Sequence, residues 1–208
     1  MVIVGMDPSF NALSTSILNV ETHKVYLQTI SESLGDNIGF DKVFMVSRKL
    51  RDAQLKYIDK LISDKCIDTI DKLFSEMPPP AASFSSGLFA LDNLVISSMY
   101  DTYNIGEVYV IPSSYVATIH GTNKYNKSDS TKLAKYFINE VLGDKIEVII
   151  QDYVSEKGRV MKGKLNNDKA ESFLFLLRAI VKYDIYGLSK VITSEMSGFI
   201  HEPEKLVS

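Results

Sequence analysis

The chain has 208 residues, 45% of them hydrophobic and 24% charged, a globular balance that lets one large domain build a sizeable core. It has no apolar run long enough to cross a membrane, no basic leader before its first acid, and only Cys66, which excludes an intrachain disulfide and a cysteine-rich zinc site. A cytoplasmic protein is expected, and a net charge of −3 weighs mildly against a polyanionic partner.

Val2-Ile3-Val4-Gly5-Met6 is an apolar run stopped by Asp7-Pro8, which predicts a buried strand ending in a turn. Leu13 to Val20 and Lys24 to Ile30 read as two more strands, completing an antiparallel meander. Val43, Val46, Leu50, Ala53, Tyr57 and Leu61 recur at helical spacing, with Lys49, Lys56 and Lys60 on the wet side. Thr69 to Ser75 predicts a fourth strand ending at Glu76, and Pro78-Pro79-Pro80 forbids helix or central strand after it. A helix over about Gly87 to Tyr103 and a strand over Glu107 to Ile111 follow. A lysine-bearing loop then leads to a helix near Thr131 to Leu142, and Glu147 to Gln151 reads as a short strand. Residues 155–167 read as a basic loop, and a strong helix runs from about Asp168 to Tyr183. The order implies an α/β domain over residues 1–194 with a central, mixed five-stranded sheet, three strands antiparallel and the rest parallel, flanked by helices. Residues 195–208 read as a tail.

The charge is unevenly spread. Residues 157–169 hold Lys157, Arg159, Lys162, Lys164 and Lys169 against Asp168, a local +4. Residues 120–135 hold Lys124, Lys127, Lys132 and Lys135 against Asp129, a local +3. Basic strips on an acidic body suit a nucleic-acid groove. They also suit two solvated, lysine-rich loops.

Four carboxylates stand where an α/β sheet builds sites. Asp7 and Glu76 close two strands, and ligands bind outside such strand ends. Asp168 and Glu171, three apart at the start of the last helix, share one face. Converging carboxylates repel unless a cation neutralises them, and hard oxygen donors select magnesium or manganese. Such a centre serves phosphodiester hydrolysis with no nucleophilic side chain. Each acid also has a plainer reading. Asp7-Pro8 suits a turn, Glu76 a solvent-facing strand end, and Asp168-Lys169-Ala170-Glu171 a capping box with Asp168 as N-cap.

These residues together resemble RuvC-type Holliday junction resolvases of the ribonuclease-H-like superfamily. Val2 to Ser9 is similar to the family's opening Gly-Ile-Asp-Pro-Gly strand, with Ser9 in place of the usual glycine. Phe74-Ser75-Glu76 resembles the second acidic motif. Asp168-Lys169-Ala170-Glu171-Ser172 resembles the third, where the second acid is usually aspartate. Pro112-Ser113 through Lys132 resembles the stretch that carries a phosphate-contacting lysine, leaving Lys124, Lys127 and Lys132 as candidates. The triple proline and the basic insert look like divergence of the bacteriophage kind.

The resemblance implies a ribonuclease-H-like fold and a magnesium-dependent endonuclease, manganese substituting, that cuts four-way junctions, with forks and flaps as further candidate substrates, in recombination or replication. It implies branched DNA as partner, no membrane or nucleotide cofactor, and a homodimer, the natural reader of a two-fold substrate. Asp7, Glu76, Asp168 and Glu171 would be the catalytic metal ligands. Lys124, Lys127, Lys132, Lys157, Arg159, Lys162, Lys164 and a base-wedging Phe84 would contact DNA. The helix bearing Leu88, Leu91, Val95 and Met99 is the candidate dimer face, or a plain core helix. Three other readings remain: an ATPase of the same fold, for which the chain is short and lacks a second glycine-rich loop; an RNA-processing nuclease; and a DNA-binding module with a weakened site.

Overall fold

The computed structural model describes residues 1–33, 40–77, 85–112, 115, 127–154, 160–195 and 204–207. Strands β1 (Val2–Ser9), β2 (Ala12–Asn19) and β3 (Lys24–Ser31) form the expected antiparallel meander. Helix α1 (Phe40–Ser63), strand β4 (Lys72–Met77), helix α2 (Ser85–Tyr103) and strand β5 (Glu107–Pro112) follow. Helix α3 (Lys127–Tyr136) widens into a π turn over Phe137–Val141, where the Leu142 N–H donates to the Phe137 carbonyl at 2.8 Å. Then come β6 (Glu147–Ile150), the short pair β7 (Tyr153–Val154) and β8 (Val160–Met161), and helices α4 (Asn167–Lys182) and α5 (Ser189–Glu195). The stretch after residue 194, patternless in sequence, contributes β9 (Glu204–Val207), antiparallel to β5.

The main sheet has seven strands in the order β6-β3-β2-β1-β4-β5-β9. Its middle five are those expected from sequence, with β4 parallel to both β1 and β5. The edge strand β6 runs parallel to β3. No described helix is long and apolar enough to cross a membrane.

Two apolar cores lie on opposite faces of this sheet. Val2, Val4 and Met6 of β1 and Leu73 of β4 pack with Leu50, Ile58, Leu91, Val95 and Met99 of α1 and α2. Ile3 and Phe74 pack with Phe173, Leu174, Leu177 and Ile180 of α4 and with Ala134 and Phe137. Strand side chains alternate between faces, so the register of β1 and β4 decides which residues look toward α4. Leu91, Val95 and Met99 are at most 1% exposed. At these three positions the α2 face singled out from sequence as a dimer surface is therefore core, because α1 and the sheet cover it; the side chain of Leu88 lies outside the described set.

Gly5 sets how closely α4 approaches. A Cβ there would lie 2.6 Å from the Ser172 carbonyl oxygen and 2.8 Å from the Leu176 nitrogen, so only a residue without a side chain lets the helix backbone rest on β1. A buried hydrogen bond between Ser16 Oγ and Ser172 Oγ, 2.8 Å, pins the same turn of α4 to β2.

Candidate active site

β1 and β4 pair in parallel only as far as Met6 and Ser75. Asp7 and Glu76 are the next residue on each strand, at the point where the pairing stops. By alternation from Ile3 and Phe74, both project toward α4. The sequence reading placed Asp7 at the end of its strand, or in a turn. Instead it lies within β1, opposite Ser14, and the chain reverses at Phe10-Asn11. β1 continues because β2 supplies antiparallel hydrogen-bonding partners beyond the point where β4 leaves.

Above this gap stands the first turn of α4. Its N-cap is Asn166, whose side-chain oxygen accepts from the Lys169 N–H at 3.0 Å. The capping-box reading of Asp168 is thereby corrected. Asparagine is a strong N-cap former and occupies the position, so Asp168 lies inside the first turn of α4 rather than capping it. Two hydrogen bonds from α3 brace this turn. Thr131 Oγ1 donates to Asn167 Oδ1 at 2.7 Å, and Ser130 Oγ, fully buried, donates to Glu171 Oε1 at 3.3 Å.

Glu76, Glu171 and Asp168 all lie within electrostatic reach of Asp7. Asp7 is 8% exposed, and its carboxyl is held well above the usual aspartate range. Burial is the largest cause, followed by the charge of Glu76 and a hydrogen bond with it, then by the charges of Glu171 and Asp168. Two carboxyl groups can hydrogen-bond to each other only if they share a proton. Acids from β1, β4 and α4 thus raise one another's cost of ionisation, and repulsion of this kind is relieved by a cation. The donor set, all carboxylate oxygen, suits magnesium or manganese. Among the described residues, which include all four acids, no group of three or more His, Cys, Asp or Glu side chains stands close enough to hold a metal ion.

A fifth acid, Asp92 of α2, escaped the sequence reading. It is 5% exposed, accepts from Ser75 Oγ at 2.8 Å, and is pushed up to about 7, chiefly by burial, with a further contribution from Glu76. Ser75 faces the opposite side of β4 from Glu76, so Asp92 lies behind the acidic cluster. An acid beside Asn93, inside the run from Leu88 to Ile96 that is otherwise apolar, was the available signal.

The basic candidates divide. Lys162 and Lys164 are exposed beyond β8, with Lys162 loosely paired to Asp152 at 3.9 Å. The backbone of this segment is held in place. The Gly163 N–H donates to Asp152 Oδ1 at 2.7 Å, and the Lys164 carbonyl accepts from the Lys169 ammonium at 3.3 Å. Lys132, on α3, is exposed and pairs with Asp129 at 3.1 Å. Exposed pairs of this sort are worth about 0–1 kcal/mol, so a phosphate can displace them. Lys127 opens α3, with its side chain outside the described set. Lys124, Lys157, Arg159 and Phe84 lie outside the described residues.

No protein-family model matches the sequence, and no curated protein matches it. Solved structures do. A structure of Thermus thermophilus RuvC in complex with Holliday junction substrate aligns over 88% of this chain and 96% of its own, at 11% identity and a TM-score of 0.50. A second T. thermophilus RuvC structure aligns over 99% and 100%, at 12% identity and a TM-score of 0.46. At such identities the likeness to the first structure shows the fold.

Proposed function

With a RuvC-like, ribonuclease-H-like fold, we propose that this chain is a divalent-metal-dependent endonuclease that cuts branched DNA, four-way junctions first among them. The observation that carries the reading is the Asp7 carboxyl, raised first by its burial and then by its hydrogen bond and charge contacts with Glu76 and the charges of Glu171 and Asp168. Structural carboxylates are normally paired with cations or exposed, whereas acids gathered against their own repulsion mark a functional site.

Asp7, Glu76, Asp168 and Glu171 would hold magnesium, with manganese substituting. When bound, the cation would neutralise the cluster and supply the Lewis acidity that phosphodiester hydrolysis needs. The chain's own residues do the positioning. Gly5 lets α4 rest on β1, and that approach would carry Asp168 and Glu171 toward Asp7. Ser130 orients the Glu171 carboxylate, and Thr131 holds the same turn through Asn167. Lys162, Lys164 and Lys132 would neutralise phosphates along the strand, as would Lys124, Lys127, Lys157 and Arg159; Phe84 would wedge at the crossover. Two copies of the chain would match the two-fold symmetry of a junction.

The test is an end-labelled four-way junction incubated with the protein, with and without magnesium, beside Asp7→Asn. Paired symmetric nicks that need both magnesium and Asp7 are expected. Junction binding with no nicks in magnesium or manganese would instead establish a structure-selective DNA binder, a reading that the open arrangement of the acids favours as the alternative.

A further inference from the structure

A cavity of about 560 Å³ opens beside the acidic cluster and shares Asp168 with it. Its other walls come from the β1–β2 reversal (Phe10, Asn11), the end of β3 (Thr29, Ser31) and the N-cap of α4 (Asn166). This size falls within the range of small-ligand pockets. We propose that the cavity holds one unpaired nucleobase of the cleaved strand, stacked on Phe10, next to the scissile phosphate. The proposal rests on the nuclease reading and adds a base-recognition subsite to it.

Three features favour a base over a phosphate. First, the two charged residues in the wall oppose each other. Asp168 offers a negative charge to any entering anion, and the Lys169 ammonium is turned to the Lys164 carbonyl, with the residue only 1% exposed. Second, the remaining polar side chains are amides and hydroxyls, which match the uncharged donors and acceptors of a base edge. Thr29 is already oriented by its hydrogen bond with Ser14 at 2.7 Å, and Ser9 Oγ holds the reversal by donating to the Ala12 carbonyl at 3.1 Å. Third, one wall is aromatic, and every base presents a π-face that stacks on such a ring. A duplex keeps its bases stacked inside, whereas a branch point exposes them. The cavity would therefore also favour branched over linear substrate.

The experiment uses the full-length protein in calcium with junctions carrying a single abasic site, scanned through the nucleotides around the crossover. Loss of one base should weaken binding by roughly tenfold, the scale of one base–aromatic stack. Phe10→Ala should weaken binding to the intact junction by a similar factor, yet cost nothing further on the abasic junction at that position. Phe10→Tyr should restore binding. Asn11→Ala, at an exposed position, should give a smaller loss that also vanishes on the abasic junction, and it guards against a misfolded Phe10→Ala. Equal losses on intact and abasic junctions, or no abasic position that matters, would overturn the subsite while leaving the nuclease reading intact. Absence of junction binding by the unaltered protein would overturn both.

Discussion

Replacing Gly5 by alanine adds one methyl group where β1 and α4 cross, and touches no acidic side chain. The new Cβ would stand 2.6 Å from the Ser172 carbonyl oxygen and 2.8 Å from the Leu176 nitrogen, against an ordinary contact that begins near 3.4 Å. Both atoms are helix backbone, and the helix is locked by the Ser16–Ser172 hydrogen bond and by a fully buried apolar face. Relief requires α4 to lift by about 0.8 Å, the difference between these distances. Overpacking of this size costs about 1–3 kcal/mol. For a chain of this length that is a fall in Tm of roughly 2–12 °C. The same lift carries Asp168 and Glu171 away from Asp7, and a misplacement near 1 Å costs up to about a hundredfold in rate. The assays are thermal unfolding in EDTA and single-turnover nicking of a four-way junction at saturating magnesium. Nicking should drop at least tenfold even at temperatures where the variant is folded. A variant with unchanged Tm and unchanged nicking would refute the claim that this crossing sets the site.

Asp7→Asn removes a buried acid whose folded-state pKa is raised. The native state then binds more protons than the unfolded chain above the ordinary aspartate range, so stability in EDTA falls as pH rises through that window. The asparagine variant should lack this fall, be the more stable apo-protein at pH 8, gain no Tm from magnesium, and make no nicks. A lower Tm than wild type in EDTA at pH 8 would count against the crowding of charge at Asp7. Asp92, raised to about 7 by burial, has the same sign. Asp92→Asn should become more stable relative to wild type between about pH 4 and pH 7, by up to about 4 kcal/mol, and urea unfolding across that range checks it; parallel curves would show that Asp92 stays ionised. Lys162→Ala and Lys164→Ala should each weaken junction binding regardless of sequence and reduce the salt slope by about one. A slope identical to wild type in filter-binding titrations would remove these lysines from the DNA face.

The elements that were legible in the sequence are those with strong periodicity. The meander, α1, β4, β5 and α4 announce themselves through alternation or three-and-four spacing, because a half-buried element must put its apolar residues on one side. Asp7, Glu76, Asp168 and Glu171 were legible as candidates, since acids next to apolar runs are costly and stand out. What sequence could not supply is distance. Asp7 and Glu76 meet because β1–β4 pairing stops one residue earlier, at Met6 and Ser75, and because both residues share the parity of Ile3 and Phe74. Asp168 and Glu171 come within electrostatic reach of Asp7 on a helix whose backbone Gly5 admits and which Asn166, not Asp168, caps. Asp92 and the Phe10 cavity are likewise products of assembly, formed by segments remote in the chain. Local chemistry along the chain determines which residues are unusual. Only the packing of strand against helix decides which of them face one another, because burial and charge repulsion act through space and not along the sequence.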